Sequence, residues 1–496
     1  MTTLGIDIGG TGCKCAAFSE CGEQLALSYA EYPLGSGQVD LPSEILLSSV
    51  FQVISGCAAE LKAPDDIQAL TVSSFGESFV PVDADGKALT GVRLYYGNAG
   101  CADFSQLTEK IGEEKFMEIA RIRPDVSYSL SGMLSVREAA ERPVWKYLFI
   151  AGYICYQLTG KACTDESLAC RSLLYDVRRR CWSEELMQLS GIGSDTLPDV
   201  LPTGSIVGKI IPYIARKLNL PEDVNVVIGG HDQIVNALGA GVCRPGDAAD
   251  TTGTCECITP LFSRIPEGLE FQKNNFACVP YPGGSGYVTY AYNVSAGSVI
   301  RWCRELMNKY LFPEAEAAGK SIYDLFTESC PLSSTDLMVL PFLQGMGGTP
   351  DVNASARGLI AGLTTATRLP DLYRAILEGI TFEMRYNQEK LSENDIAFER
   401  LFACGGGARS SVWLQLKADI LGCSILPVKA DETGAMGSAI LGFAALTGES
   451  PFAVAGRFIQ YGESIFPNKE NQEIYHKRFE VYKALRGLYL SNSILR

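Results

Sequence analysis

Short apolar runs ending in glycine or serine alternate along this chain with longer stretches of helical period. Residues 4–8 and 13–18 read as two β-strands joined by a glycine turn. Residues 66–74 and 224–229 (Val-Asn-Val-Val-Ile-Gly) read as further strands. Helices are predicted over 142–158, stopped by Leu158-Thr159-Gly160, and near 231–240, 370–390, 410–421 and 434–447. Strands alternating with helices place the chain in the α/β class. No low-complexity linker interrupts it. Pro and Gly punctuate Val242-Cys243-Arg244-Pro245-Gly246-Asp247, which divides the chain into 1–245 and 246–496. Asp7-Ile8-Gly9-Gly10-Thr11-Gly12 opens the first half and Asp250-Thr251-Thr252-Gly253-Thr254 the second. Each alone reads as an ordinary hairpin turn. Together they suggest two similarly built domains facing each other across a cleft.

Composition narrows the partners. The 496 residues exceed one compact core, and 47% apolar with 20% charged residues is ordinary for a soluble globular protein. A net charge of −15 leaves no footprint for nucleic acid or anionic membrane in general, though a local phosphate pocket is compatible with it. The first residues carry no basic and apolar leader pattern. The apolar stretch Tyr147 to Tyr156 falls short of the ~18–20 residues that span a bilayer, so a cytoplasmic location is expected. Seventeen cysteines lack any C-x-x-C spacing, and two histidines give a zinc or haem site almost no imidazole. Cys13/Cys15 and Cys255/Cys257, two apart, suit buried reduced thiols on one face of a strand.

Glycine is in excess, 50 residues, and its clusters lie at strand ends and helix starts. In the first cluster a strand ends on Asp7 before a Gly/Thr turn. Glycine lets backbone N–H groups approach a phosphate, Thr11 and Lys14 can donate to it, and Asp7 can hold a hydrated Mg²⁺. The spacing is neither a Walker A loop nor a dinucleotide fingerprint. Asp250 to Thr254 offers the same donors. Cys404 to Ser411 precedes an amphipathic helix that Ser410 or Ser411 can cap, and its three glycines either form a simple helix entry or clear a surface for a flat purine. Glu432 to Ala439 reads as tight helix packing or a ligand contact. Asp232, after Ile228-Gly229-Gly230-His231, reads either as an N-cap or as a carboxylate that accepts a hydroxyl proton.

The order of these pieces resembles the FGGY carbohydrate kinase family, xylulokinase- and glycerol kinase-like members of the actin-like ATPase fold group. The resemblance covers nearly the whole chain. It rests on Gly5-Ile6-Asp7-Ile8-Gly9-Gly10-Thr11 with Lys14, on Leu158-Thr159-Gly160 with Thr164-Asp165-Glu166-Ser167-Leu168-Ala169, and on Gly229-Gly230-His231-Asp232-Gln233 with Ala237-Leu238-Gly239-Ala240-Gly241. Gly358-Leu359-Ile360-Ala361-Gly362-Leu363, Asp371-Leu372 and Ala375-Ile376-Leu377-Glu378 fit its C-terminal signature, and Gly405-Gly406-Gly407-Ala408 and Glu432-Thr433-Gly434-Ala435-Met436-Gly437 its adenosine side.

The resemblance implies two actin-like (ribonuclease H-like) domains across a nucleotide/sugar cleft, 1–245 carrying the sugar site and first phosphate loop and 246–496 binding ATP. It implies ATP-dependent phosphorylation of a ketose, polyol or sugar acid, with Asp232 as general base and Gln233 and Glu77 beside the substrate. Asp7 would organise Mg²⁺, Gly10, Thr11, Lys14, Thr252, Gly253 and Thr254 would meet the phosphates, and Gly406, Gly407 and Ala408 would line the adenosine site. Family members often dimerise, but no interface is legible here. The substrate side departs from the family. Phe75-Gly76-Glu77-Ser78 stands where xylulose-type kinases carry Gln-Met-His-Gly, and of the Arg-Glu of glycerol kinases only Glu77 is kept, Gly76 replacing the arginine. Tyr96-Gly97-Asn98-Ala99-Gly100 replaces Trp-x-Asp-x-Arg, and Gly345-Met346-Gly347-Gly348-Thr349-Pro350 replaces Gly-Glu-Arg-Thr-Pro. Glu77 remains open between a sugar contact and a solvated strand end. An atypical sugar specificity is the expectation, with an ATPase activator or a weakly catalytic sugar-binding regulator of the same fold as the alternatives.

Overall fold

The computed structural model describes residues 1–35, 38, 40–94, 101–284 and 286–491. The N-terminal apolar runs become a six-stranded sheet: β1 (Thr2–Ile8), β2 (Gly12–Ser19), β3 (Gln24–Glu31), β4 (Ile67–Ser74), β5 (Ile206–Lys209) and β6 (Asn225–His231), in the order β5-β6-β4-β1-β2-β3. β1 runs parallel to β4 and antiparallel to β2, so Asp7 lies opposite Ser73 on one side and Lys14 on the other. Both faces of β1 are covered and all its residues but Asp7 are buried, which is why it reads as a continuous apolar run.

The second half repeats the plan. β7 (Asp247–Thr252), β8 (Glu256–Phe262), β9 (Val279–Pro280), β10 (Tyr287–Val288), β11 (Ala291–Asn293), β12 (Arg400–Gly405) and β13 (Ser424–Pro427) form a sheet ordered β9-β10-β8-β7-β12-β13, with β11 on β8. β7 pairs antiparallel with its successor β8 and parallel with β12, as β1 does with β2 and β4. The echo between Asp7 and Asp250 is therefore structural: each is near the end of the first strand of its sheet.

One expected helix is corrected. Residues 142–158 split into a strand, Lys146–Phe149, antiparallel to Phe79–Val82, and then a helix α1 (Ile150–Thr159). The run Trp145 to Phe149 is aromatic and apolar, and its strand partner, invisible to local periodicity, decides its conformation. Gly160, with φ 76°, ends α1 as expected. The other expected helices appear as α2 (Asp232–Ala240), α3 (Leu369–Ser392), α4 (Ser411–Leu421) and α5 (Thr433–Thr447), and the chain closes with α6 (Lys469–Ser491). Ser410 caps α4, its side chain accepting from Trp413 N–H. The cysteines whose side chains are described are all free thiols. Cys13 and Cys15 share a buried strand face, whereas Cys255 lies in the turn before β8 and is only half-buried, so the Cys255/Cys257 pair is not a strand pair. Among the described residues no helix is long and apolar enough to cross a membrane.

α2 and α5 cross each other beside β1, and glycine sets the distance. A Cβ at Gly239 would lie 1.9 Å from the carbonyl oxygen of Thr433, one at Gly437 1.9 Å from that of Val235, and one at Gly5 1.9 Å from that of Ala435. No side chain fits at any of the three. The close approach seats the start of α5 against the later turns of α2 and beside the end of β1, where a Cβ at Gly434 would lie 2.6 Å from Asp7 Oδ2.

A second core lies under α3, α4 and α6. Tyr475, Phe479, Tyr482 and Tyr489 form its stripe on α6, with Phe382 against Tyr482 at a ring distance of 5.2 Å. Buried ion pairs clamp α6 to α3: Arg478–Glu378 at 2.9 Å and Arg486–Glu383 at 2.9 Å. Arg486 also reaches Asp351, 2.9 Å away in the loop after Pro350.

Gly437→Ala should destabilise the protein by about 2–4 kcal/mol in urea unfolding, because a backbone carbonyl cannot yield as a side chain can. Gly487→Ala, on α6 with open space around its Cβ position, is the control and should stabilise by about 0.5–1 kcal/mol.

Candidate active site

A cleft of about 920 Å³ opens at the carboxyl ends of β4 and β6, the position where open α/β sheets bind ligands. Asp232 begins α2 on its floor. His231 is the N-cap residue, so Asp232 occupies the first helical turn, and its Oδ1 accepts only the adjacent Gln233 N–H at 2.6 Å. That is not the N-cap arrangement considered from sequence. A quarter of the side chain stays open to the cleft. Burial, then the nearby carboxylates of Asp7 and Glu77, push its pKa well above the carboxylate range, against the Gln233 N–H and Arg171. His231 beside it is held neutral by burial and by Arg171, with Nδ1 3.2 Å from Tyr290 Oη.

The Thr-Asp-x-Ser-x-Ala segment acts through the backbone. Asp165 caps the short helix Glu166–Cys170, accepting from Ser167 N–H and Leu168 N–H, and takes the Ser167 and Thr203 hydroxyls at 2.6 Å each. Ser167 Oγ then accepts His231 N–H at 2.8 Å, fixing the residue before Asp232. Gly230, at φ 110°, is required there, since its Cβ would sit 2.6 Å from Asp165 Oδ2.

Glu77 does not end in solvent. Its Oε1 accepts Arg171 Nε at 2.6 Å and also Arg171 Nη2, and both side chains are nearly buried, 11% and 12% exposed. Arg171 follows the Glu166–Cys170 helix and lies over the rings of Tyr128 and Tyr290, 4.8 and 5.5 Å from their centroids. Gly76 makes room for this: a Cβ there would be 2.7 Å from His231 Cδ2 and 2.9 Å from Arg171 Cγ. Gln233 faces the same cleft, with a buried Oε1 that has no partner.

A second recess of about 510 Å³ gathers Asp7, Gly9, Thr11, Lys14 and Glu432. The hairpin closes with Gly9 N–H donating to Gly12 C=O at 2.9 Å, which leaves Gly10 and Thr11 at its tip. Lys14 pairs with Glu432 at 2.7 Å. Burial pushes the Asp7 carboxyl up to about 6, opposed by Lys14 and aided by Glu432. Asp7 also contributes to the raised pKa of Asp232, so recess and cleft belong to one electrostatic neighbourhood.

From the second sheet, Thr252 stands against the glycine loop: a Cβ at Gly407 would meet its Cβ at 2.7 Å. Its hydroxyl is committed inward, accepting from Lys417 Nζ at 2.9 Å and donating to Asp250 Oδ1 at 3.3 Å. Its backbone is paired with Glu256 and Gly405, so the expected phosphate contact of Thr252 is not offered by its side chain. Gly253, Thr254 and Gly406 are exposed, with Gly407 and Ala408 half-buried behind them.

The expected residues thus fall in three groups: Asp7, Gly10, Thr11 and Lys14; Glu77, Asp232 and Gln233; Thr252, Gly253, Thr254, Gly406, Gly407 and Ala408. Sequence reasoning missed Arg171, Tyr128, Tyr290 and Glu432 as site residues. The one signal for Arg171 was its place directly past the matched Ser167-Leu168-Ala169. Tyr96 to Gly100 lie outside the described residues.

Two family profiles match the chain: the N-terminal domain of the FGGY family of carbohydrate kinases over residues 2–239, and its C-terminal domain over 253–446. The chain is 27% identical to a xylulose kinase of Bacillus subtilis (strain 168) over 493 residues, covering 97% of this chain and 96% of that one. It is 28% identical to a gluconokinase of the same organism over 449 residues, 88% and 86% of the two chains. The fold matches a ligand-bound xylulose kinase crystal structure from Lactobacillus acidophilus with a TM-score of 0.86 at 22% identity, over 99% of both chains.

The raised Asp7 carboxyl predicts a pH-dependent stability effect. An unfolded aspartate titrates near ~3.9, so the native state holds the extra proton up to about 6, and its stabilising share is lost as pH rises through that value. Asp7→Asn should therefore gain stability over the parent as pH rises from about 4.5 to 7.5, by at most about 3 kcal/mol in urea unfolding. An unchanged difference across that range would refute the titration.

Proposed function

Since this chain belongs to the FGGY family of carbohydrate kinases, we propose that it transfers the γ-phosphoryl group of ATP to a hydroxyl of a small sugar, sugar acid or polyol in the 920 Å³ cleft, with Asp232 as general base. The observation that carries this reading is Asp232 itself. It is a partly buried carboxylate of raised basicity at a helix start, on the cleft floor, within electrostatic reach of the Asp7 recess.

In the proposed reaction the acceptor hydroxyl gives its proton to Asp232, its oxygen bonds to the γ-phosphorus, and the bond to the bridging oxygen breaks to release ADP. Glu77 and Gln233 hold other acceptor hydroxyls. Backbone N–H groups of the Gly10-Thr11 tip and of Thr254 meet the phosphates, with Thr11, Thr254 and Lys14 as further donors. Gly253 keeps that turn bare while its own N–H donates to Cys255 C=O. Gly406, Gly407 and Ala408 provide the bare surface for adenosine. The division into lobes 1–245 and 246–496 belongs to the same proposal, with α5 crossing back from the second lobe onto β1.

Mg²⁺ fits the residues present. No group of three or more His, Cys, Asp or Glu among the described residues forms a protein cage, and Asp7 is a single carboxylate whose burial no cation fully offsets. One or two carboxylates completed by phosphate oxygens and water is the arrangement Mg²⁺ accepts, and Asp7 would hold it with Glu432 nearby. When bound, it would neutralise phosphate charge.

Asp232→Ala should abolish sugar-dependent ADP release, a fall of at least ~10³ in kcat, while ATP binding measured by calorimetry stays within about threefold of the parent. Activity of the parent should fall as pH is lowered, because protonated Asp232 cannot accept. Normal turnover by Asp232→Ala would sink the assignment.

A further inference from the structure

The acceptor cleft is charged in a way that distinguishes among small hydroxylated molecules. Three cations and five carboxylates line it, and the carboxylates stay in the majority even with a proton on Asp232. Each cation is already matched. Arg123 Nε lies 3.1 Å from Glu113, Lys273 Nζ 2.7 Å from Glu270, and the Arg171 guanidinium grips Glu77. The first two pairs are at the wet rim; the third is at the floor beside Asp232.

The floor pair is built to last. Arg171 lies over two tyrosine rings, so its plane is fixed by cation–π contact as well as by the carboxylate. Burial opposes its charge, and Glu77 together with Tyr128 and Tyr290 more than offsets that, so the guanidinium stays charged beside the Glu77 carboxyl. Both guanidinium contacts fall on Glu77 Oε1. Among the described cleft residues two fully buried side-chain polar atoms lack protein partners: Arg171 Nη1, a donor, and Gln233 Oε1, an acceptor. A hydroxyl can serve either. A ligand carboxylate can serve only the donor, and it would enter a site whose net charge repels it with no unmatched cation to receive it.

We propose that the Arg171–Glu77 pair sets the substrate class, admitting an uncharged ketose or polyol and rejecting a sugar acid, with Arg171 as the positioning residue that holds Glu77 at the floor. This rests on the kinase reading above and narrows it. Glu77 masks an arginine that could otherwise bind a carboxylate, so the pair is a specificity switch with one side covered. The arginine absent from position 76 has in effect been replaced from another element, since Gly76 leaves the space that Arg171 Cγ and His231 occupy.

The test is equilibrium binding by calorimetry, with coupled ADP release alongside, using D-xylulose, xylitol and glycerol against D-xylonate and D-gluconate. The parent should bind at least one neutral probe tighter than either acid by about tenfold or more. Glu77→Gln uncovers the guanidinium charge and should shift that ratio toward the acids by about tenfold or more. Arg171→Gln should weaken the neutral probes and leave the acids excluded, while Arg171→Lys, keeping the charge but losing the fork, should recover part of the neutral binding. A purely structural role for the pair would lower all affinities together without moving the ratio. Acids binding the parent as well as neutral probes, a ratio unmoved in folded Glu77→Gln, or no neutral probe binding at all would each overturn the proposal. A probe that binds without being phosphorylated would instead sink the kinase reading and leave the substrate class standing.

Discussion

Backbone meeting backbone at glycine is the contact on which everything else depends. Where α2 passes α5 and α5 passes β1, carbonyl oxygens occupy the space a Cβ would need at Gly5, Gly239 and Gly437. Helix pairs separated by ordinary side chains keep their axes ~8–10 Å apart. Removing those side chains brings the start of α5, at Thr433 and Gly434, against Asp7 of β1 and against Asn236 and Gly239 of α2, the helix that Asp232 begins. Asn236 ties the junction laterally, donating to Thr251 Oγ1 and accepting from Thr433 Oγ1. The chemistry-bearing residues are near each other because the residues behind them are small.

The duplicated sheet plan makes the two halves instructive to compare. Asp7 and Asp250 have matching topological positions, yet their surroundings have diverged. Asp250 is sealed with Lys417 and Glu256, whose own carboxyl burial pushes up to about 7. That cluster takes the Thr252 hydroxyl out of circulation and stiffens the turn leading to Gly253. Asp7 has Lys14 as its neighbouring cation, and Lys14 is itself drawn to Glu432. One aspartate is locked in a buried charge cluster and the other lines an open recess.

Local sequence signals carried much of this. Strands at 4–8, 13–18, 66–74 and 224–229 were legible because apolar runs ending in glycine have few other readings, and helix stops at Gly160 and Gly241 followed from left-handed backbone. The glycine clusters at residues 9–12 and 434–437 lie at the smaller recess and the helix crossing. What was hidden depends on long-range partners. Residues 146–149 became a strand because Phe79–Val82 was there to pair with. Arg171 joins Glu77 across 94 positions, and nothing in either neighbourhood announces the other. The inward turn of the Thr252 hydroxyl required Lys417, which sequence placed only on an amphipathic helix.

The loop that carries Thr349, Pro350 and Asp351 along the cleft is held at Thr349 by Tyr292 and Asn387 and at Pro350 by Asn275. Further along, its outer side is fastened by Arg486 on Asp351 and by Tyr489, which accepts the Arg357 N–H. Arg486 and Tyr489 are on α6, the last helix. On the ribosome, both sheets and the whole glycine junction are complete before this helix emerges, so the inner hold on the cleft wall precedes the outer one. The order of synthesis therefore leaves the last fastening of that wall to the final stage, and a chain that stops short of α6 lacks that brace.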